Sequence, residues 1–406
     1  MPHVPYKQTA HLQDAHSKGI TRLSFNQDGT FLATAGLDGL VCIWTVETWG
    51  LFCTWSAETA VTALAWFTNE ALICGLGNGI LGTLHDIQGN SNIVRVSGFL
   101  GHESGLPVEQ LAVDNSGRVA CGAQSELSVW NWDLDAAAVS CLLSLPPRSC
   151  DGLGSNAGVD TRSRRQSTVK AHIQEADDDK EVLITGVFWA KDSLVVCYLE
   201  HGIHFFDDHT WERLRKIRPG VNVPRRIGHA SLAPGGALVA ISNIATGFDI
   251  CDLETGAIVK SFEHEIGSYE YAIPVLFIHG GQAIVGGSSV GCCNIWYVDS
   301  GEEFPPLRIP NNGKVLAMAH HYDSSNDRFI IATGLMNDDA QSTVIIWTVS
   351  PPQPPLDDDG FIDEPIIDKS RFMWRSPLLA LIVALAAFGF AIFIEEYDFA
   401  GEDGFD

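Results

Sequence analysis

Positive charge is scarce in this 406-residue chain: 25 Lys and Arg stand against 50 Asp and Glu, for a formal net charge of −25. That balance argues against nucleic-acid binding, whose affinity comes mainly from cationic contacts to phosphate. The chain has no CxxC pair among its 10 scattered cysteines. Several of these, such as Cys42, Cys74, Cys121 and Cys197, fall inside strand-like runs. Small buried hydrophobes in a reducing compartment are the expected reading, with a disulfide or metal framework as the alternative. No HExxH or paired-carboxylate constellation occurs, so no catalytic residue is assigned and no enzyme is expected. His320-His321 and the pair His201 and His204 lack partners at metal spacing, and neither a metal nor a cofactor is expected. The opening MPHVPYKQTAHLQDAH has no apolar core, so no signal peptide is expected.

What is present starts with residues 16–44, HSKGITRLSFNQDGTFLATAGLDGLVCIW. Leu23 and Phe25 alternate with polar neighbours, as in a half-buried strand. Asp28-Gly29 and Asp38-Gly39 supply tight turns, because glycine accepts positive φ and aspartate bonds its own backbone. Phe31 to Ala35 and Val41 to Trp44 complete a three-strand meander. The unit then repeats. Third strands end near Trp44, Leu84, Trp130, Phe206, Cys251, Trp296 and Trp347, at intervals of 40, 46, 76, 45, 45 and 51 residues. A four-stranded blade takes about 40–45 residues, so seven copies fit with one large insertion. GLGNG at 75–79 falls where a hairpin turn must lie, and Asn78-Gly79 predicts a type I′ turn rather than a phosphate loop.

His16, Thr34, Asp38 and Trp44 sit at the spacing of one WD-repeat blade, and residues 10–349 resemble the WD-repeat β-propeller family. The resemblance implies an all-β, seven-bladed propeller in which these four side chains form a hydrogen-bonded chain. It also implies a platform that binds other proteins. Later copies depart from the pattern: copy two has Asn78 and Leu84, and copy three keeps His102 and Trp130 with Gln124 between them. Val349 is followed by SPPQPP, which cannot form an outer strand because proline lacks the ladder N–H. The segment Tyr6 to Gln13 is therefore expected to pair as that strand and close the ring.

The propeller is expected over residues 1–350, with an insertion at about 146–180 that is polar and long enough to be a functional or a merely flexible loop. Arg164 and Arg165 precede Ser167 there, a spacing that suits phosphorylation by a basophilic kinase. A Pro/Asp-rich linker, 351–375, is expected to be extended. Residues 376–394 contain an uncharged apolar run, PLLALIVALAAFGFAIFI. At about 1.5 Å per residue it spans roughly 27 Å, enough for a thin bilayer. Lys369, Arg371 and Arg375 precede it, and the acidic tail 395–406 follows. That bias places the propeller in the cytosol on a single-pass membrane helix. The layout resembles tail-anchored proteins, which implies the endoplasmic reticulum. It also resembles the membrane-anchored propeller exchange factors of COPII coat assembly, which implies a small GTPase as an alternative partner. The Gly-rich cation-binding loop of those factors is missing. Finally, Arg213, Arg215, Lys216, Arg225 and Arg226 concentrate positive charge in an acidic chain. They read either as a binding patch for anionic lipid or protein, or as edge-strand gatekeepers.

Overall fold

A computed structural model describes residues 5–87, 95–102, 104–133, 138–145, 182–220, 226–264, 272–336 and 342–349. They form seven four-stranded antiparallel sheets. Blade 1 is built from Ile20–Phe25, Phe31–Gly36, Leu40–Thr45 and Leu51–Ser56, running outward in chain order. The next five sheets repeat that order. The fourth strand of blade 6 is only Leu307–Arg308. No α-helix occurs among the described residues; the only helical pieces are two 3₁₀ turns, His279–Gly281 and Pro310–Asn312.

The seventh sheet breaks the order. Its inner three strands are Lys314–Asp323, Arg328–Met336 and Ser342–Val349, and its outer strand is Lys7–His16 from the other end of the chain. That strand runs antiparallel to the third, with Gln8 opposite Trp347 and Leu12 opposite Val344. The pairing leaves no open edge between the last blade and the first. The strand continues past Gln13 to His16, and this extension links ring closure to the hydrogen bonding of blade 1.

Each interface between neighbouring blades holds its own apolar cluster. Phe31, Ala33 and Ile43 of blade 1 pack on Val61, Trp66 and Leu72 of blade 2. Leu32, Cys42 and Trp44 use the opposite face of blade 1 against Ala332, Val344 and Ile346 of blade 7. Both faces of each middle strand are thus covered, and Phe31–Gly36 is buried at every position. This explains why alternation is weak in the second and third strands, which are sandwiched on both sides. The described cysteines are free thiols, and Cys42, Cys74, Cys121, Cys197, Cys251 and Cys293 are buried.

Two local expectations change. Gly79 has φ of 82°, but Asn78 is not in the positive-φ region, so the turn is not type I′. The Asn78 side chain instead accepts the Ile80 N–H at 3.3 Å, and this Asx bond replaces the second left-handed residue. In blade 3, the acid beside His102 is Glu126 rather than any group at Gln124. Gln124 itself takes φ of 51° in the turn, and the longer glutamate reaches back from the start of the third strand.

Candidate functional site

Two features invite a functional reading: the polar chain inside blade 1 and the mouth of the central channel. In the first, His16 leaves the end of the N-terminal strand, Thr34 lies on the second strand of blade 1, Asp38 in the following turn and Trp44 on the third strand. The imidazole spans Asp38 Oδ1 at 3.2 Å and Thr34 Oγ1 at 2.8 Å. The Trp44 indole N–H donates to the same threonine oxygen at 3.2 Å. Asp38 also accepts the backbone N–H of Ser17 at 2.8 Å and of Leu40 at 3.1 Å. Burial opposes ionisation of Asp38. Its bonds from Leu40, His16 and Ser17 outweigh that and hold the carboxyl below the usual range. Burial likewise lowers the His16 pKa, against the pull of Asp38. All four groups are satisfied by one another, so the chain braces the blade and offers no free acid, base or nucleophile.

One residue of this network is invisible in the repeat spacing. A Cβ on Gly36 would lie 2.6 Å from Asp38 Oδ1 and 2.7 Å from His16 Nδ1. Glycine at 36 is what lets the two side chains meet. The only hint in the sequence is a small residue two positions before the aspartate.

Other blades keep fragments of the arrangement. In blade 7, Trp347 donates to Thr333 at 3.0 Å. In blade 3, His102 Nδ1 lies 3.3 Å from Ser128 Oγ and 3.5 Å from Glu126 Oε2, while the Trp130 indole N–H turns to the Gly101 carbonyl at 3.3 Å. Blade 4 buries His201 and His204 completely. Desolvation, together with Lys216 and Arg213, pushes the His204 pKa down to about 3.

Two members of the sequence-predicted basic cluster, Arg215 and Arg226, reach opposite ends of blade 5. Arg213, Arg215 and Lys216 lie on the outer strand of blade 4. The Arg215 guanidinium sits 3.9 Å over the Phe205 ring and donates to the Glu254 carbonyl at 3.2 Å. Glu254 belongs to the turn between the third and fourth strands of blade 5. Arg226 lies at the opposite end of that blade, before its first strand. It pairs with Glu200 at 3.1 Å and lines the channel mouth. The separation follows from antiparallel geometry: those two connections emerge at opposite ends of a sheet. Arg225, Ser167, Arg164 and Arg165 lie outside the described residues, as do the insertion at 146–180 and everything from 350 onward.

The channel mouth is a cavity of about 550 Å³. Its walls come from the first residues of the innermost strands, such as Thr21 and Arg22 in blade 1, Thr62 in blade 2 and His229 in blade 5. Turns between second and third strands add Leu37, Leu199 and Ile244. Among the described residues no group of His, Cys, Asp and Glu is placed to hold a metal ion.

No curated protein matches the chain. Residues 7–45 match the family described as WD domain, G-beta repeat. That span runs from the closing strand to just past Trp44. Taken with the ring of seven blades, it supports the WD-repeat β-propeller family for this protein.

Proposed function

We propose that this protein is a scaffold that holds partner proteins at the cytosolic face of a membrane, with the endoplasmic reticulum as the membrane favoured by its acidic tail. WD-repeat propellers generally act as non-enzymatic platforms for other proteins, and the WD-repeat match on a closed seven-bladed ring carries that part of the reading. Closure by the N-terminal strand covers the outer edge of Ser342–Val349 and leaves the faces of the ring available to partners. The membrane part rests on the apolar run at 376–394 and the basic residues before it. Among the described residues no helix is long and apolar enough to cross a membrane.

Carbonate extraction tests the tether. Full-length protein should stay in the pellet, and a chain lacking residues 375–406 should move to the supernatant with its melting transition intact. Full-length protein in the supernatant overturns the membrane reading. Capture of partners by the anchored full-length chain tests the scaffold. Nucleotide-sensitive capture of a small GTPase would instead make it a GTPase regulator.

A further inference from the structure

At the channel mouth a cation stands without a direct ion pair. Arg22 Nη1 donates to its neighbour's carbonyl, Thr21, at 3.0 Å, and Nη2 donates to the Glu109 carbonyl at 2.8 Å. Both acceptors are backbone oxygens. They fix the guanidinium plane but do not neutralise its charge. Among the described residues no carboxylate lies within ion-pair distance of Arg22. Its Nε–H and one N–H on each terminal nitrogen remain unused, out of the five donors an arginine presents. A half-buried guanidinium held in this way is preorganised for a flat or tetrahedral oxyanion.

A second donor lines the same cavity. His229 Nδ1 accepts the Val275 N–H at 3.3 Å, so in the neutral ring the proton sits on Nε2. That nitrogen has no hydrogen-bond partner among the described residues. The ring stays neutral because burial, and secondarily Arg22, push its pKa down to about 3. The hydroxyls of Thr21 and Thr62 are occupied by the Val61 and Val108 carbonyls, at 2.6 Å each. Arg226 at the rim is paired with Glu200. The opposing charge is Glu109, which lines the cavity and acts on Arg22 through space without an ion pair.

We propose that the channel mouth binds a small oxyanion, a carboxylate or phosphate group, between Arg22 and His229. The site is walled by all seven blades and is large enough for a ligand of modest size. A free anion and the terminal carboxylate of a bound peptide present the same chemistry, and the probes below separate them. Glu109 sets the selectivity: it penalises a multiply charged ligand.

The test is calorimetric titration of the full-length protein at constant ionic strength. The probes are inorganic phosphate, acetate, and a short peptide ending either in a free carboxylate or in an amide. At least one oxyanion should bind, and the amide should not. Arg22→Gln should weaken binding by roughly tenfold or more, the loss expected for a hydrogen bond to a charged group. Glu109→Gln should tighten it several-fold, an effect opposite in sign to that of a damaged fold. Binding confined to the acid peptide assigns the ligand to a protein partner; equal binding of the free ions assigns it to a soluble anion. The absence of any oxyanion binding overturns the proposal, as does an Arg22→Gln protein that binds like the parent. If Arg22→Gln does not fold, Glu109→Gln decides, and unchanged or weaker binding there overturns the proposal.

Discussion

His16 ends the outer strand of blade 7, yet its Nε2 lies 2.8 Å from the hydroxyl of Thr34 inside blade 1. The strand that closes the ring therefore also supplies the imidazole that braces the first blade. Closure and internal hydrogen bonding are one device here.

Asp38→Ala should destabilise the propeller by about 1–3 kcal/mol, because the buried imidazole and two backbone N–H groups lose their acceptor. Asn78→Ala should cost less, since the Asn78 side chain accepts a single N–H. Melting curves of the two variants decide the matter, and equal shifts would remove the special standing of blade 1.

Gly36→Ala should be as damaging as Asp38→Ala, at about 1–3 kcal/mol, although it adds only a methyl group. The added carbon would collide with both His16 and Asp38. A crystal structure of the variant should show the two side chains pushed apart. An unchanged contact at parental stability would refute the crowding argument.

Removal of residues 1–14 should expose the strand Ser342–Val349 along its outer edge and promote association of the chain. It should also loosen His16 and so weaken blade 1. Light scattering and thermal melting of the truncated protein check both effects; a monomer with unaltered melting would mean the ring closes by other contacts.

Arg118→Lys should cost about 1–2 kcal/mol despite keeping the charge. Arg118 of blade 3 bonds Asp114 at 2.6 Å, reaches Asp208 of blade 4 at 2.9 Å and lies 4.5 Å over the Trp189 ring. A lysine has no planar fork with which to make the three contacts together. Denaturant titration reads the loss, and a variant within error of the parent would show that charge alone suffices.

Stability should fall as the solution is acidified below about pH 6.5. His204 is fully buried and holds a pKa of about 3, while in the unfolded chain it takes up a proton near its ordinary value. The unfolded state therefore binds the extra proton throughout that window, and each such histidine contributes up to about 1.4 kcal/mol per pH unit. His102, lowered to about 4 by burial, acts in the same direction. Folding free energies of His204→Phe measured between about pH 6.5 and 4 should show a shallower slope than the parent; an identical slope would mean His204 is protonated in the folded state.

The sequence by itself determined the blade. Short β runs separated by Asp-Gly turns, the spacing of His16, Thr34, Asp38 and Trp44, and the recurrence of third strands are local properties written at fixed distances. The proline run after Val349 even pointed to the N-terminal segment as the missing strand, because a ladder cannot be built without N–H groups. Tertiary structure decided everything that depends on which side chains meet. Gly36 matters only because His16 and Asp38 converge on it. Glu126 takes the acid's place in blade 3 because its longer side chain reaches back to His102. Arg215 and Arg226 reach opposite ends of blade 5 because strand direction reverses between them. Arg22, unremarked among alternating strand residues, comes to line a cavity, held by backbone carbonyls alone, only when the first strands converge on a common channel. Spacing along a chain fixes elements of short range, whereas convergence on an axis is a property of the closed ring.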